Sequence, residues 1–143
     1  MLAFQTLQAT TELVWFDPQG HRLATIGQPS NYSNPALSPD GRRLAVARLD
    51  AQLGTRDIWL FDLAQGTPSR FTFDPSDESN PMWSPGGDRI AFDFYTKGKI
   101  DIYQKAITGI GQAETLTESS DVKVLESWAP DGRFILYDSA GKL

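Results

Sequence analysis

The chain has 143 residues, 40% hydrophobic and 22% charged, a balance that argues against disorder and fits a folded globular domain. Its 18 acidic residues outnumber 13 scattered Lys and Arg, giving a net charge of −5, so neither nucleic acid nor an anionic membrane surface is an expected partner. The absence of cysteine excludes disulfides, thiolate metal sites and cysteine nucleophiles.

The N-terminal stretch Met1-Leu-Ala-Phe-Gln-Thr-Leu-Gln has neither the basic region nor the long apolar region of a signal peptide. No apolar run in the chain approaches the ~20 residues of a membrane helix, so membrane insertion is not expected. Two strands are predicted near 12–16 and 22–26, joined by the turn Asp17-Pro-Gln-Gly-His21. Four more are predicted within 34–73, where Ser38-Pro-Asp-Gly41 supplies turn chemistry between Asn34–Leu37 and the apolar segment Arg43-Leu-Ala-Val-Ala-Arg48. The segment Ile58-Trp-Leu-Phe61 follows, β-branched and aromatic, and Ala64-Gln-Gly-Thr-Pro68 links it to a fourth strand. A second set of four spans 80–117, with Ser84-Pro-Gly-Gly87 as its turn, and a last pair is predicted near 126–129 and 133–138 around Ala129-Pro-Asp-Gly132. No segment carries a capped apolar stripe of helical period, so the chain reads as all-β.

These elements repeat. Asn34-Pro-Ala-Leu-Ser-Pro-Asp-Gly recurs 46 residues later as Asn80-Pro-Met-Trp-Ser-Pro-Gly-Gly, and Pro130 lies 45 after Pro85. A second motif keeps nearly the same period: Glu12-Leu-Val-Trp-Phe-Asp17, Asp57-Ile-Trp-Leu-Phe-Asp62 and Asp101-Ile-Tyr-Gln-Lys105. Four strands per ~45 residues is the pattern of β-propeller blades. The expected architecture is a propeller segment of four-stranded antiparallel blades: a half blade at 12–33, blades at 34–79 and 80–125, and a half blade at 126–143. An ordinary ring takes 4–8 blades. The chain is therefore expected either to be part of a longer one or to self-associate through its open half blades, with two copies making six. Trp83 and Trp128 at one repeat position, and Trp15 and Trp59 in the other motif, are expected between blades.

Leu37-Ser-Pro-Asp-Gly41, Trp83-Ser-Pro-Gly-Gly87 and Trp128-Ala-Pro-Asp-Gly132, with Asp57-Ile-Trp59 and Asp101-Ile-Tyr103, resemble the TolB-like, WD40-like β-propeller repeat of bacteria. The departures are Leu37 for an aromatic, Gly86 for Asp and Ala129 for Ser, which are expected to soften single turns. The run from Leu13 to Gly41 is similar to propellers that lie C-terminal to bacterial Ser/Thr kinases or DNA-binding regulators, although no kinase motif is present. Related propellers also gate prolyl-oligopeptidase-type peptidases. The resemblance implies a protein- or peptide-binding module in a sensory or envelope protein, in a periplasmic or extracytoplasmic setting.

Catalysis is not expected. His21 is the one histidine and sits in a turn; no Gly-x-Ser-x-Gly elbow occurs, and Ser38 and Ser84 read as turn caps. Gly109-Ile-Gly111 lacks the third glycine and the helix of a dinucleotide site, so no cofactor is expected. The links from fourth to first strands, 27–33, 74–79 and 118–123, are expected to share one face with the loops at 49–55 and 95–99. Asp74, Asp77, Glu78, Glu118 and Asp121 would crowd that rim, suiting a cationic peptide or a hard cation such as calcium, or merely forming polar turns. Their spacing fits no EF-hand, and no metal site is assigned.

Overall fold

The computed structural model describes residues 10–117 and 120–141. Among them are twelve strands and no helix: β1 (Thr11–Phe16), β2 (Arg22–Ser30), β3 (Tyr32–Leu37), β4 (Arg43–Leu49), β5 (Arg56–Asp62), β6 (Thr67–Arg70), β7 (Asp77–Trp83), β8 (Arg89–Thr96), β9 (Lys99–Ala106), β10 (Glu114–Thr115), β11 (Val122–Trp128) and β12 (Ile135–Ala140). They form four antiparallel sheets: β1-β2, β3-β4-β5-β6, β7-β8-β9-β10 and β11-β12. These are two complete blades with a half blade at each end, and the first strands β3, β7 and β11 pack in succession.

Each Asn-Pro of the repeat marks a β-bulge. The β3–β4 register shifts between Ser33 and Ala36, and the β7–β8 register between Ser79 and Met82. Asn34 (φ 52°) and Asn80 (φ 53°) take the left-handed conformation there, which asparagine tolerates better than most residues. Pro35 and Pro81 follow, where the bulge and the sheet edge make a missing N–H harmless. Before the bulge the chain is already paired: Asp77 faces Tyr95 and Glu78 faces Phe94 across β7–β8. First strands thus begin earlier than the turn-like residues suggest, at Tyr32, Asp77 and Val122.

The second strands of the complete blades, β4 and β8, lie at the centre of the packing and are buried on both faces, which is why they read as continuous apolar runs rather than as alternations. Leu44 and Val46 of β4 face the first half blade, meeting Leu13, Ile26, Tyr32 and Phe61. Ala45 and Ala47 face the other way, where their small side chains leave room for Trp83, Phe92 and Phe94 of the next blade. Ala91 of β8 repeats the arrangement against Leu125 and Trp128. The tryptophans lie between blades: Trp83 is buried and donates Nε1–H to the Ala36 carbonyl at 2.9 Å, and Trp15 and Trp59 pack on the first interface. Gly27 (φ 64°) lets its strand approach Phe61 so closely that a Cβ would lie 2.6 Å from Cε1.

Candidate functional site

Polar residues buried between the blades are mostly paired. Asp57 and Asp101 open the repeated Asp-Ile-Trp and Asp-Ile-Tyr motifs, and both are buried. Asp57 accepts from Arg70 Nη2 at 2.8 Å; burial pushes its carboxyl up against the opposing pull of Arg70. Burial likewise raises Asp101, but Lys99 at 2.7 Å and Lys123 at 3.1 Å outweigh it, and its carboxyl ends below the usual range. Asp93 accepts the Leu125 N–H at 2.9 Å and Asn80 Nδ2 at 3.2 Å, while Asn80 Nδ2 also reaches the Leu125 carbonyl at 2.6 Å. Burial lifts Asp93 to about 6 against those hydrogen bonds.

The acidic residues expected on the rim have different fates. Asp74 is exposed and accepts the Ser76 N–H at 3.0 Å in its own turn. Asp77 is half-buried in β7, accepts the Arg56 N–H at 2.6 Å and ties the link to the preceding blade. Glu78, expected in a solvated loop, is a strand residue only 1% exposed. It points toward the first complete blade because it shares a face with its cross-strand partner Phe94. Asp121 is half-buried on the following link, where its carbonyl accepts from Lys123 Nζ at 3.3 Å. Glu118 lies outside the described residues. The structure therefore brings Asp74 and Glu78 to one place, whereas Asp77 and Asp121 serve other contacts. Among the described residues, no group of three metal-ligating side chains converges.

Asp74 and Glu78 line a cleft of about 540 Å³ between the complete blades. Phe94 and Tyr103 stack along one wall with ring centroids 4.3 Å apart, and Phe73 and the 109–113 loop form others. Lys105 also lines it, donating Nζ–H to the Phe71 carbonyl at 2.8 Å and lying over the Phe71 and Phe73 rings. Thr72 hydrogen-bonds the Glu78 carboxyl, but Oε2 has no partner among the described residues. Burial drives this carboxyl up to about 8, opposed by Thr72 and assisted by the charges of Asp57 and Asp74. Lys105, Phe94 and Tyr103 were not among the expected site residues. One signal for Lys105 exists in the repeat: it occupies the position held by Phe16 and Phe61 in the other copies.

His21 is exposed, its ring held to Asp17 Oδ2 at 2.8 Å in the β1–β2 turn. Ser38 and Ser84 are buried and hold the Arg43 and Arg89 N–H groups at 2.9 and 3.0 Å. Both serines are occupied as turn caps.

With the blades, bulges and turns in place, the comparison with known proteins is direct: residues 7–142 match the TolB beta propeller domain. The chain belongs to the TolB β-propeller domain family. It is 31% identical over 91 residues to the Tol-Pal system protein TolB of Desulfosudis oleivorans, covering 64% of this chain and 20% of that protein. It is 28% identical over 109 residues to the uncharacterized peptidase YuxL of Bacillus subtilis, covering 73% of this chain and 16% of that one. Among solved structures, TolB from Acinetobacter baumannii superposes with a TM-score of 0.71 at 24% identity, over 91% of this chain and 32% of that chain. The tricorn protease superposes at 0.61 with 21% identity, over 73% and 10%, and shows the shared fold alone. The TolB-family chain thus spans a fifth or less of the curated relatives' lengths.

Proposed function

We propose that this chain is a non-catalytic β-propeller binding and scaffolding module that acts within a larger ring. The observation that carries the reading is that, among the described residues, each terminal sheet has only two of a blade's four strands. Beside β1 an apolar gap of about 570 Å³ opens over Pro35, Leu37 and Leu44, where the first and second strands of a complete blade would pack. At the other end Phe134, just before β12, and Leu136 within it are 66% and 64% exposed, and among the described residues β12 pairs with β11 alone. Unpaired strand edges flanked by apolar side chains are sites of further association. The two ends are complementary in kind, since β11-β12 is a first-and-second-strand pair and β1-β2 a third-and-fourth.

The partner in this reading is a protein or peptide, and the setting is the sensory part of a bacterial signalling or envelope protein. Similarity to a Tol-Pal system protein supports the envelope setting. A second reading, a gating propeller of a prolyl-oligopeptidase-type peptidase, draws on the similarity to YuxL. It predicts a hydrolase sequence downstream in the gene, whereas the signalling reading predicts a kinase or DNA-binding domain upstream.

Light scattering on a sizing column at several concentrations tests the open-end argument. A discrete species of twice the chain mass is expected if the half blades complete one another. A monomer at every concentration, with a native far-ultraviolet circular dichroism spectrum, would overturn self-association.

A further inference from the structure

The cleft between the complete blades differs from the rest of the blade interface in its charge pairing. Asp57 has Arg70, Asp101 has two lysines, and Asp93 has two donors. Glu78 is buried more completely than any of them, yet Oε2 has no hydrogen-bond partner among the described residues. Among the described residues neither Glu78 nor the neighbouring Asp74 forms an ion pair, and both border the cleft. Lys105, the cation of the cleft, is turned to the Phe71 carbonyl and the Phe71 and Phe73 rings. Arg70 is held by Asp57. A buried carboxyl oxygen without a donor is costly, and a donor arriving with a positive charge removes that cost most completely.

We propose that this cleft binds a primary ammonium or guanidinium group, as carried by a lysine or arginine side chain of a partner peptide, with the Glu78 and Asp74 carboxyls as its acceptors. The proposal rests on the binding role above and names the chemistry that role would use. The stacked Phe94–Tyr103 pair gives the aliphatic stem of such a side chain an apolar wall, and the face of an aromatic ring attracts a cation. A volume of about 540 Å³ lies within the usual range for small-ligand sites and accommodates one long side chain with its backbone. Asp57, Asp74, Arg70 and Lys105 are the charged groups around Glu78, and binding a cation requires its carboxyl to be ionised. Affinity is therefore expected to rise from pH 6 to pH 8.

The test is a titration of the ¹⁵N-labelled chain with n-butylammonium chloride, with n-butanol as the uncharged control, followed by amide chemical shifts. Saturable shifts at Glu78, Tyr103 and Gly111 are expected with the ammonium alone. Glu78→Gln is expected to weaken binding at least tenfold and to abolish its pH dependence. Asp74→Asn, on an exposed turn where folding is not at stake, is expected to weaken it several-fold, and Asp131→Asn to leave it unchanged. Equal shifts with butanol, no saturable shift, or full binding by Glu78→Gln or by Asp74→Asn would overturn the proposal. Such a failure would leave the half-blade argument standing, because solution mass reads that independently.

Discussion

Ser38 and Ser84 build one turn with two different carboxylates. Ser38 Oγ donates to Asp40 Oδ1 at 2.6 Å, while in the next copy, where Gly86 stands in place of Asp, Ser84 Oγ donates to Asp88 Oδ1 at 2.8 Å. Both hydroxyls then accept the N–H that starts the second strand. The sequence departure at Gly86 is thus offset two residues later. At Ala129 there is no hydroxyl to hold, and Asp131 turns instead to the N–H and Nε of Arg133. The backbone turn survives through the Gly132 N–H donating to the Ala129 carbonyl at 2.8 Å. Restoring the hydroxyl with Ala129→Ser is expected to add about 0.5–1.5 kcal/mol, and Ser84→Ala to cost about 1–3 kcal/mol by stranding the Arg89 N–H. Urea denaturation measures both; a loss of stability on Ala129→Ser would show that the third turn is closed differently.

Between elements, stability depends on one blade's small residues receiving the next blade's large ones. Trp83 fills the space over Ala45 and Ala47 and is anchored by its hydrogen bond to Ala36. Trp83→Ala is expected to cost about 3–5 kcal/mol as a cavity in the main interface. Trp83→Phe keeps most of the apolar volume, loses the hydrogen bond, and is expected to cost less. The comparison is read by chemical denaturation followed by circular dichroism. A cost below about 1 kcal/mol for the alanine variant would mean that the complete blades do not pack tightly in solution, because deletion of so large a buried side chain removes both transfer and packing energy. The repeat period already places the tryptophans between blades, since a large residue recurring once per blade occupies the same surface in each. The alanines that accommodate them are less legible: Ala45, Ala47 and Ala91 look like ordinary strand residues until the neighbouring sheet is present.

At the scale of the molecule, buried carboxyls raised by their burial set an unusual pH response. Asp93 is raised to about 6 and Glu78 to about 8, against ordinary values near 3.9 and 4.3. Well below pH 4 both are protonated whether the chain is folded or not, so neither opposes folding. As pH rises, the unfolded chain releases these protons first, and stability falls until the folded carboxyls ionise as well. The loss is expected between about pH 4 and 6 for Asp93 and to continue toward 8 for Glu78. The turn carboxylates Asp17, Asp40, Asp50 and Asp131 are lowered mainly by hydrogen bonds from their own turns, and they act in the opposite sense at more acidic pH. Melting temperature is therefore expected to peak in mildly acidic buffer. Glu78→Gln is expected to raise it at pH 8 and leave it nearly unchanged at pH 4; equal effects at the two pH values would refute this assignment of the buried charge.

What the sequence by itself determined is the repeating unit: its period, its turns and its antiparallel four-stranded blades. Those features are local, because Ser-Pro-Asp-Gly, Asn-Pro and Asp-Ile-Trp each impose backbone conformation over a few residues, and recurrence multiplies the signal. The candidate site was only partly legible for the same reason. The stretch Asp74-Pro-Ser-Asp-Glu-Ser79 has the composition of a solvated turn, yet β8 extends far enough to pair with its second half. Only the tertiary structure decided that Asp77 would tether a link, that Glu78 would be buried without a partner for one oxygen, and that Lys105 would turn toward Phe71. Those outcomes depend on which face of a strand meets the adjacent blade. That is a property of two sheets together, which no single stretch of the chain encodes.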